Sequence, residues 1–130
     1  MQTLLNTPHE IIQQNILGAA AKAKTRILNI LVLGMMAGSF IAMGAQSSSL
    51  AVHNISNIGL ARTLAGCIFP VGLMMIVFVG GELFTGDCMM SMAWMQRKIH
   101  FADMLRTLVL VYVSNFVGAA LIAFLVAHSG

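Results

Sequence analysis

From Thr63 to Val79 the sequence carries no charge, and from Cys88 to Gln96 it is again uncharged and rich in methionine. Between these apolar stretches stands Gly80-Gly81-Glu82-Leu83-Phe84-Thr85-Gly86-Asp87, an octet that combines three glycines with two carboxylates. No other feature restricts the fold as strongly. An ionisable side chain inside a transmembrane segment opposes insertion by roughly 2.5–3.5 kcal/mol, so Glu82 and Asp87 at membrane depth demand a specific environment. Glycine releases the backbone from helical geometry, and irregular backbone at that depth survives only where protein covers it or where it lines a wet cavity. The octet therefore predicts a broken transmembrane helix, with Gly80, Gly81, Glu82, Gly86 and Asp87 forming the loop at the break.

A helix that restarts near Gly86 presents unpaired N–H groups and a partial positive charge to the interior, which attracts an anion. Discontinuous helices whose N-termini face an anionic substrate near the bilayer midplane recur in transporters. The competing reading is a kinked helix in which Glu82 and Asp87 cap backbone N–H groups.

Composition agrees with a membrane protein. Charged residues make up 8% of the chain and hydrophobic ones 58%, against roughly 25% charged in soluble domains. The 130 residues accommodate three spans of about 20 residues, with too little polar sequence left for a soluble domain. The fold class expected is all-α and integral to the membrane. A net charge of +3 is spread over span-flanking positions, without a basic stripe interleaved with aromatics, so nucleic acid is not an expected partner. Cys67 and Cys88 form no CxxC pair and sit in apolar runs, which reads as buried free thiols. No nucleophilic triad, paired carboxylate acid/base site or zinc-ligand spacing can be assembled, so neither enzymatic chemistry, a metal nor a cofactor is expected.

In chain order, Thr7-Pro8-His9-Glu10 reads as a capped helix start, and Ile11, Ile12, Ile16, Leu17 and Ala20 recur at helical spacing. Residues 1–26 are thus expected to form an amphipathic helical segment on the membrane surface or against the bundle, ending near Lys22, Lys24 and Arg26. Ile27 to Ala45 is the first span, with Gly34 and Gly38 offering another helix a close approach. Residues 46–62 read as a polar connection with a short helical piece through Leu50, Ala51 and Val52. The second span starts near Arg62, meets a kink at Pro70 and then the octet. The last runs from about Met104 to Ala127, with Asn115 needing an interhelical hydrogen-bond partner.

Lys22, Lys24 and Arg26 precede the first span, and Arg97, Lys98 and Arg106 separate the second from the third, whereas only Arg62 lies between the first two. Basic residues are retained on the cytoplasmic side. The N-terminus is therefore expected in the cytoplasm and Gly130 on the opposite face.

The ordered motifs carry a resemblance. Gly80 to Gly86, preceded by Leu64-Ala65-Gly66 and Phe69-Pro70-Val71-Gly72-Leu73, closely resembles the second transmembrane region of the formate/nitrite transporter family. Gly34 to Ala45 looks like its first helix, and Val111-Tyr112 with Asn115-Phe116-Val117-Gly118-Ala119 like its third. The resemblance implies an aquaporin-like fold of two inverted three-helix halves, a homopentamer with one pore per protomer, and a bacterial cytoplasmic (inner) membrane location. It implies passage of a small monovalent anion: formate, nitrite or hydrosulfide. Carried over by position, Phe69, Leu73, Leu83 and Phe84 would line or flank hydrophobic constrictions, and Thr85 would offer a hydroxyl near the central chamber. Glu82 would organise the broken loop. Residues 27–130 correspond to three spans, so they are expected to be the N-terminal half of a longer six-helix channel domain. The pore histidine that the family carries in its second half has no counterpart here.

A second class considered is the membrane-anchor or haem-binding subunit of a redox complex. Haem ligation needs histidines facing one another within a bundle, and His9, His53, His100 and His128 all lie near span ends or in connections. A water or glycerol channel is a third, though the Asn-Pro-Ala signature is missing.

Overall fold

The computed structural model describes residues 6–129, so the first five residues of the expected N-terminal segment and the terminal Gly130 lie outside the described residues. The described chain is helical throughout: α1 (Pro8–Lys22), α2 (Ile27–Val52), α3 (Ile58–Ile68), α4 (Pro70–Val79), α5 (Phe84–Asp87), α6 (Met90–Met95) and α7 (Phe101–His128). Three segments are long and apolar enough to cross a membrane, namely α2, the α3–α4 pair and α7.

The start of α1 is the expected capping box. The Glu10 N–H donates to the Thr7 hydroxyl at 3.4 Å, while the Thr7 N–H and hydroxyl donate to the Glu10 carboxylate at 2.6 and 2.9 Å. Those bonds, the backbone one foremost, hold the exposed Glu10 carboxyl below its ordinary pKa. α1 does not lie free. Its Ile16 and Ala19 are buried in a cluster with Met90 and Ala93 of α6 and Met104 of α7.

α2 passes its expected end at Ala45 and continues to Val52, which reduces the connection to residues 53–57. Serine does not stop a helix whose backbone it can serve: Ser49 Oγ donates to the Ala45 carbonyl at 3.0 Å. At 26 residues, α2 is about 39 Å long, so its polar end can stand outside a hydrocarbon core of about 30 Å. α3 likewise begins earlier than expected, at Ile58, because Asn57 Oδ1 accepts the Leu60 N–H at 3.1 Å and caps it.

Pro70 divides α3 from α4 at Phe69. α4 then ends at Gly80, whose φ of 72° lies in the left-handed region that glycine enters without strain. The N–H groups of Gly80 and Gly81 both donate to the Ile76 carbonyl. The second span is broken, as the octet predicts. It restarts at Phe84, slightly before the expected Gly86, since the extended Leu83 serves as N-cap and its carbonyl accepts the Gly86 and Asp87 N–H groups at 2.9 and 3.1 Å.

α2 and α7 form the principal packed pair. Gly34, Gly38 and Gly118 line their contact: an added Cβ at Gly34 would run into the Ser114 side chain, at Gly38 into the Asn115 backbone, and at Gly118 into the Met35 backbone. Without a hydrophobic drive between helices in lipid, this close backbone approach is the source of packing energy. Ser39 Oγ adds a bond across the pair, donating to the Gly118 carbonyl at 3.2 Å.

Most apolar side chains point outward, with Phe78 90% and Val77 73% exposed. Cys67 and Cys88 are free but exposed, which corrects the expectation of buried thiols. In a membrane-spanning chain an apolar position faces lipid or further protein as readily as its own core.

Gly118→Val is expected to lower stability by about 1–3 kcal/mol through overpacking, measured as denaturant resistance of helicity in detergent. Gly66→Ala, where a Cβ meets nothing within 4 Å, should be neutral or stabilising, by up to about 1 kcal/mol. Equal losses in both variants would show that α2 and α7 do not depend on close approach.

Candidate functional site

The broken segment is held by one side chain from α7. Asn115 Nδ2 donates to the carbonyls of Gly34 (2.9 Å) and Glu82 (2.8 Å), and Asn115 Oδ1 accepts the Phe84 N–H at 3.1 Å. α2 contributes a further bond, from the Glu82 N–H to the Leu33 carbonyl at 3.3 Å. Asn115 lies at the midpoint of α7, so the break lies at mid-depth of that span. Its amide thereby consumes one of the N–H groups that a free helix start would present to an anion.

The two carboxylates of the octet do not cap backbone N–H groups. Both pair with Lys22 from the last turn of α1: Lys22 Nζ lies 2.5 Å from Glu82 Oε2 and 2.6 Å from Asp87 Oδ1. The Asp87 side chain is fully buried, that of Glu82 is 15% exposed and that of Lys22 38%. Burial opposes the Lys22 charge, but Asp87 and Glu82 outweigh it and hold its pKa above the usual lysine value. Asp87 Oδ2 has no hydrogen-bond partner among the described residues.

Two recesses meet at Leu83 and Thr85 of the break. One, of about 390 Å³, is lined by Lys22, Leu73, Ile76, Val77, Gly80, Gly81, Glu82, Leu83, Thr85 and Gly86. The other, of about 320 Å³, is lined by Gly38, Ile41, Leu83, Phe84, Thr85, Tyr112, Asn115, Phe116 and Ala119. Leu83 and Thr85 belong to both. The Thr85 hydroxyl makes no hydrogen bond among the described residues, which leaves it free to serve a guest in either recess. Phe84 meets Tyr112 edge-on, with ring centroids 5.5 Å apart.

Of the residues singled out from sequence, Leu73, Leu83, Phe84 and Thr85 thus gather around these recesses together with the glycines and Glu82. Asp87 reaches the cluster through Lys22. Phe69 lines neither recess and stands at the α3–α4 junction, with its carbonyl close to Gly44. Lys22 and Tyr112 were not singled out for the site. Lys22 read as one of several span-flanking cations. The signal lay in the two carboxylates, since buried charges require a counter-charge, and sequence distance alone hid which cation supplies it.

A profile described as formate/nitrite transporter matches residues 9–130. The chain belongs to the formate/nitrite transporter family. It is 35% identical over 126 residues to the formate channel BtFdhC of Bacillus thuringiensis, covering 95% of this chain and 49% of that one. It is 33% identical over 114 residues to a probable formate transporter of Methanothermobacter thermautotrophicus, covering 84% of this chain and 42% of the other. A solved structure described as an FNT family ion channel shares the fold, with a TM-score of 0.85 at 23% identity over 94% of this chain and 50% of that one. This formate/nitrite transporter family member therefore spans about half the length of the relatives it matches. Those relatives are named as channels and transporters and not as enzymes.

Asn115→Leu should leave the Phe84 N–H and the Glu82 carbonyl unpaired in an apolar surround, costing about 1–3 kcal/mol and raising hydrogen exchange at residues 81–85. Lys22→Gln should destabilise the docking of α1 on α6 by about 1–3 kcal/mol, less than for a fully buried pair because Lys22 is partly exposed. Adding Asp87→Asn to Lys22→Gln should recover part of that loss, and strict additivity of the two would show that the pair is not coupled. Because the Lys22 pKa is raised, its contribution is complete below the ordinary lysine range and disappears only as pH climbs through the raised value. Hydrogen exchange in α1, followed from neutral to strongly alkaline pH, checks the sign.

Proposed function

We propose that this chain forms the first half of a channel for small monovalent weak-acid anions, with formate as the first candidate and nitrite and hydrosulfide as members of the same chemical class. The observation that carries the reading is the pair of recesses that share Leu83 and the uncommitted Thr85 hydroxyl at the break. Family membership and relatives named for formate support it.

In this reading the anion approaches past Lys22, whose single positive charge offsets part of the repulsion that Glu82 and Asp87 would otherwise exert. It exchanges hydration for the Thr85 hydroxyl and then meets the apolar Leu83 and Phe84 side chains. Moving a bare anion across that contact is costly, and a weak acid lowers the cost by taking up a proton, which makes transport passive or proton-linked. Leu73 lines the recess next to Lys22. Phe69, at the α3–α4 junction, would flank a second constriction outside both recesses. Gly80, Gly81, Glu82, Gly86 and Asp87 form the loop that positions these groups. The pore is proposed to be completed within each protomer by a second three-helix half, in a homopentamer of a bacterial cytoplasmic membrane. Residues 1–26 would be cytoplasmic.

A haem-binding anchor is the less favoured reading, because the four histidines occupy the first turn of α1, the C-cap of α2, and the N-cap and last turn of α7.

Flux into proteoliposomes containing the protein, with formate, nitrite and hydrosulfide compared against chloride and glycerol across a pH step, tests the proposal. Formate uptake above that of empty vesicles is expected, with Phe84→Ala raising leak by widening the contact. Glycerol uptake without formate uptake would overturn the substrate class, and unchanged flux in Phe84→Ala would remove that residue as a constriction.

A further inference from the structure

The turn between α6 and α7 is built at a cost that the anion path does not explain. α6 closes with Arg97 N–H donating to the Trp94 carbonyl at 2.8 Å and Lys98 N–H donating to the Ala93 carbonyl at 2.9 Å. This hydrogen-bonding pattern places a left-handed residue just past the helix end, a position glycine takes without strain. Here Arg97 takes it, with a φ of 56°, and it is the only non-glycine residue in that region among the described residues. A strained residue retained where a smaller one would fit better points to use of its side chain.

The surroundings say what that use is. Trp94, Arg97, Lys98, His100 and Phe101 line an open cavity of about 360 Å³ at the end of the α7 span. Arg97 and Lys98 are exposed and form no ion pair among the described residues, including with Asp103 in the first turn of α7. Trp94 and Phe101 pack with ring centroids 5.4 Å apart, and both remain about half exposed, at 43% and 51%. Two cations unpaired among the described residues that share a cavity with two half-exposed aromatic rings, at the boundary of an apolar span, match a ligand with a phosphate head and a hydrocarbon tail.

We propose that the α6–α7 turn is a binding site for the headgroup of an anionic phospholipid, with Arg97 and Lys98 holding the phosphodiester and Trp94 and Phe101 packing against the upper acyl chain. A zwitterionic headgroup binds less well, because its own cation opposes Arg97 and Lys98. The inference rests on α7 spanning a membrane and is independent of the substrate.

Trp94 is the only tryptophan in these 130 residues, so with any tryptophan outside them replaced by phenylalanine its fluorescence reports on this site alone. The protein is reconstituted in phosphatidylcholine vesicles containing a minor fraction of phosphatidylglycerol, with bromine in the upper acyl chain of either the phosphatidylglycerol or an equal fraction of the phosphatidylcholine. Brominated phosphatidylglycerol should compete for the site at least about fivefold better, the scale of one basic residue at an anionic surface. Arg97→Gly with Lys98→Gln should abolish that preference while leaving quenching by brominated phosphatidylcholine unchanged, and the glycine relieves the backbone. Equal quenching by the two lipids in the unaltered protein would overturn the proposal without recourse to any variant. So would a preference that survives the double substitution, or loss of the preference on adding inorganic phosphate, which would mark a site for the free anion.

Discussion

The Asn115 amide satisfies two backbone groups that a broken helix would otherwise leave bare in hydrocarbon, the Phe84 N–H and the Glu82 carbonyl, and ties them to α2 through the Gly34 carbonyl. In water those groups would find solvent partners, but at membrane depth each must be matched within the protein. This need sets the geometry of everything near it. The amide can reach both the Gly34 carbonyl and the octet only because α2 and α7 lie in backbone contact, and they do so because Gly34, Gly38 and Gly118 have no Cβ to hold them apart. The glycines in α2 and α7 and the glycines of the octet thus serve one structure. The first set lets the helices approach, and the second lets the chain leave and re-enter helical geometry between them.

Lys22 extends the same logic to charge. Glu82 and Asp87 are drawn into the bundle by the turn of the broken helix, and the cation that compensates them comes from α1, outside the spans. The N-terminal helix is consequently tied to the break through an ion cluster as well as through the apolar contacts of Ile16 and Ala19. Local pairing of this kind favours one arrangement of α1 over others, since a displaced helix would leave two carboxylates without a counter-charge.

Some of this was legible from residue order and some was not. The break could be read from Gly80 to Asp87 because glycine and carboxylate at membrane depth have few tolerable explanations. The close packing of the first span could be read from Gly34 and Gly38, and the need for a partner from Asn115. The length of α2 is not legible in the same way, because polar residues after Ala45 resemble a helix end although Ser49 bonds within its own helix. The exposure of Cys67 and Cys88 is equally illegible, because apolar surroundings in sequence do not distinguish a protein interior from a lipid-facing surface.

The sequence by itself determined the membrane class, the three spans, the break and the family, since each depends on composition or on the spacing of residues along the chain. Only the tertiary structure decided that Lys22 answers both carboxylates, that Asn115 brackets the restart at Phe84, and that Leu83 and Thr85 separate two recesses. These are contacts between positions far apart in the chain. Their partners are chosen by how helices pack, and hydropathy and motif spacing carry no information about which of several chemically equivalent residues arrives.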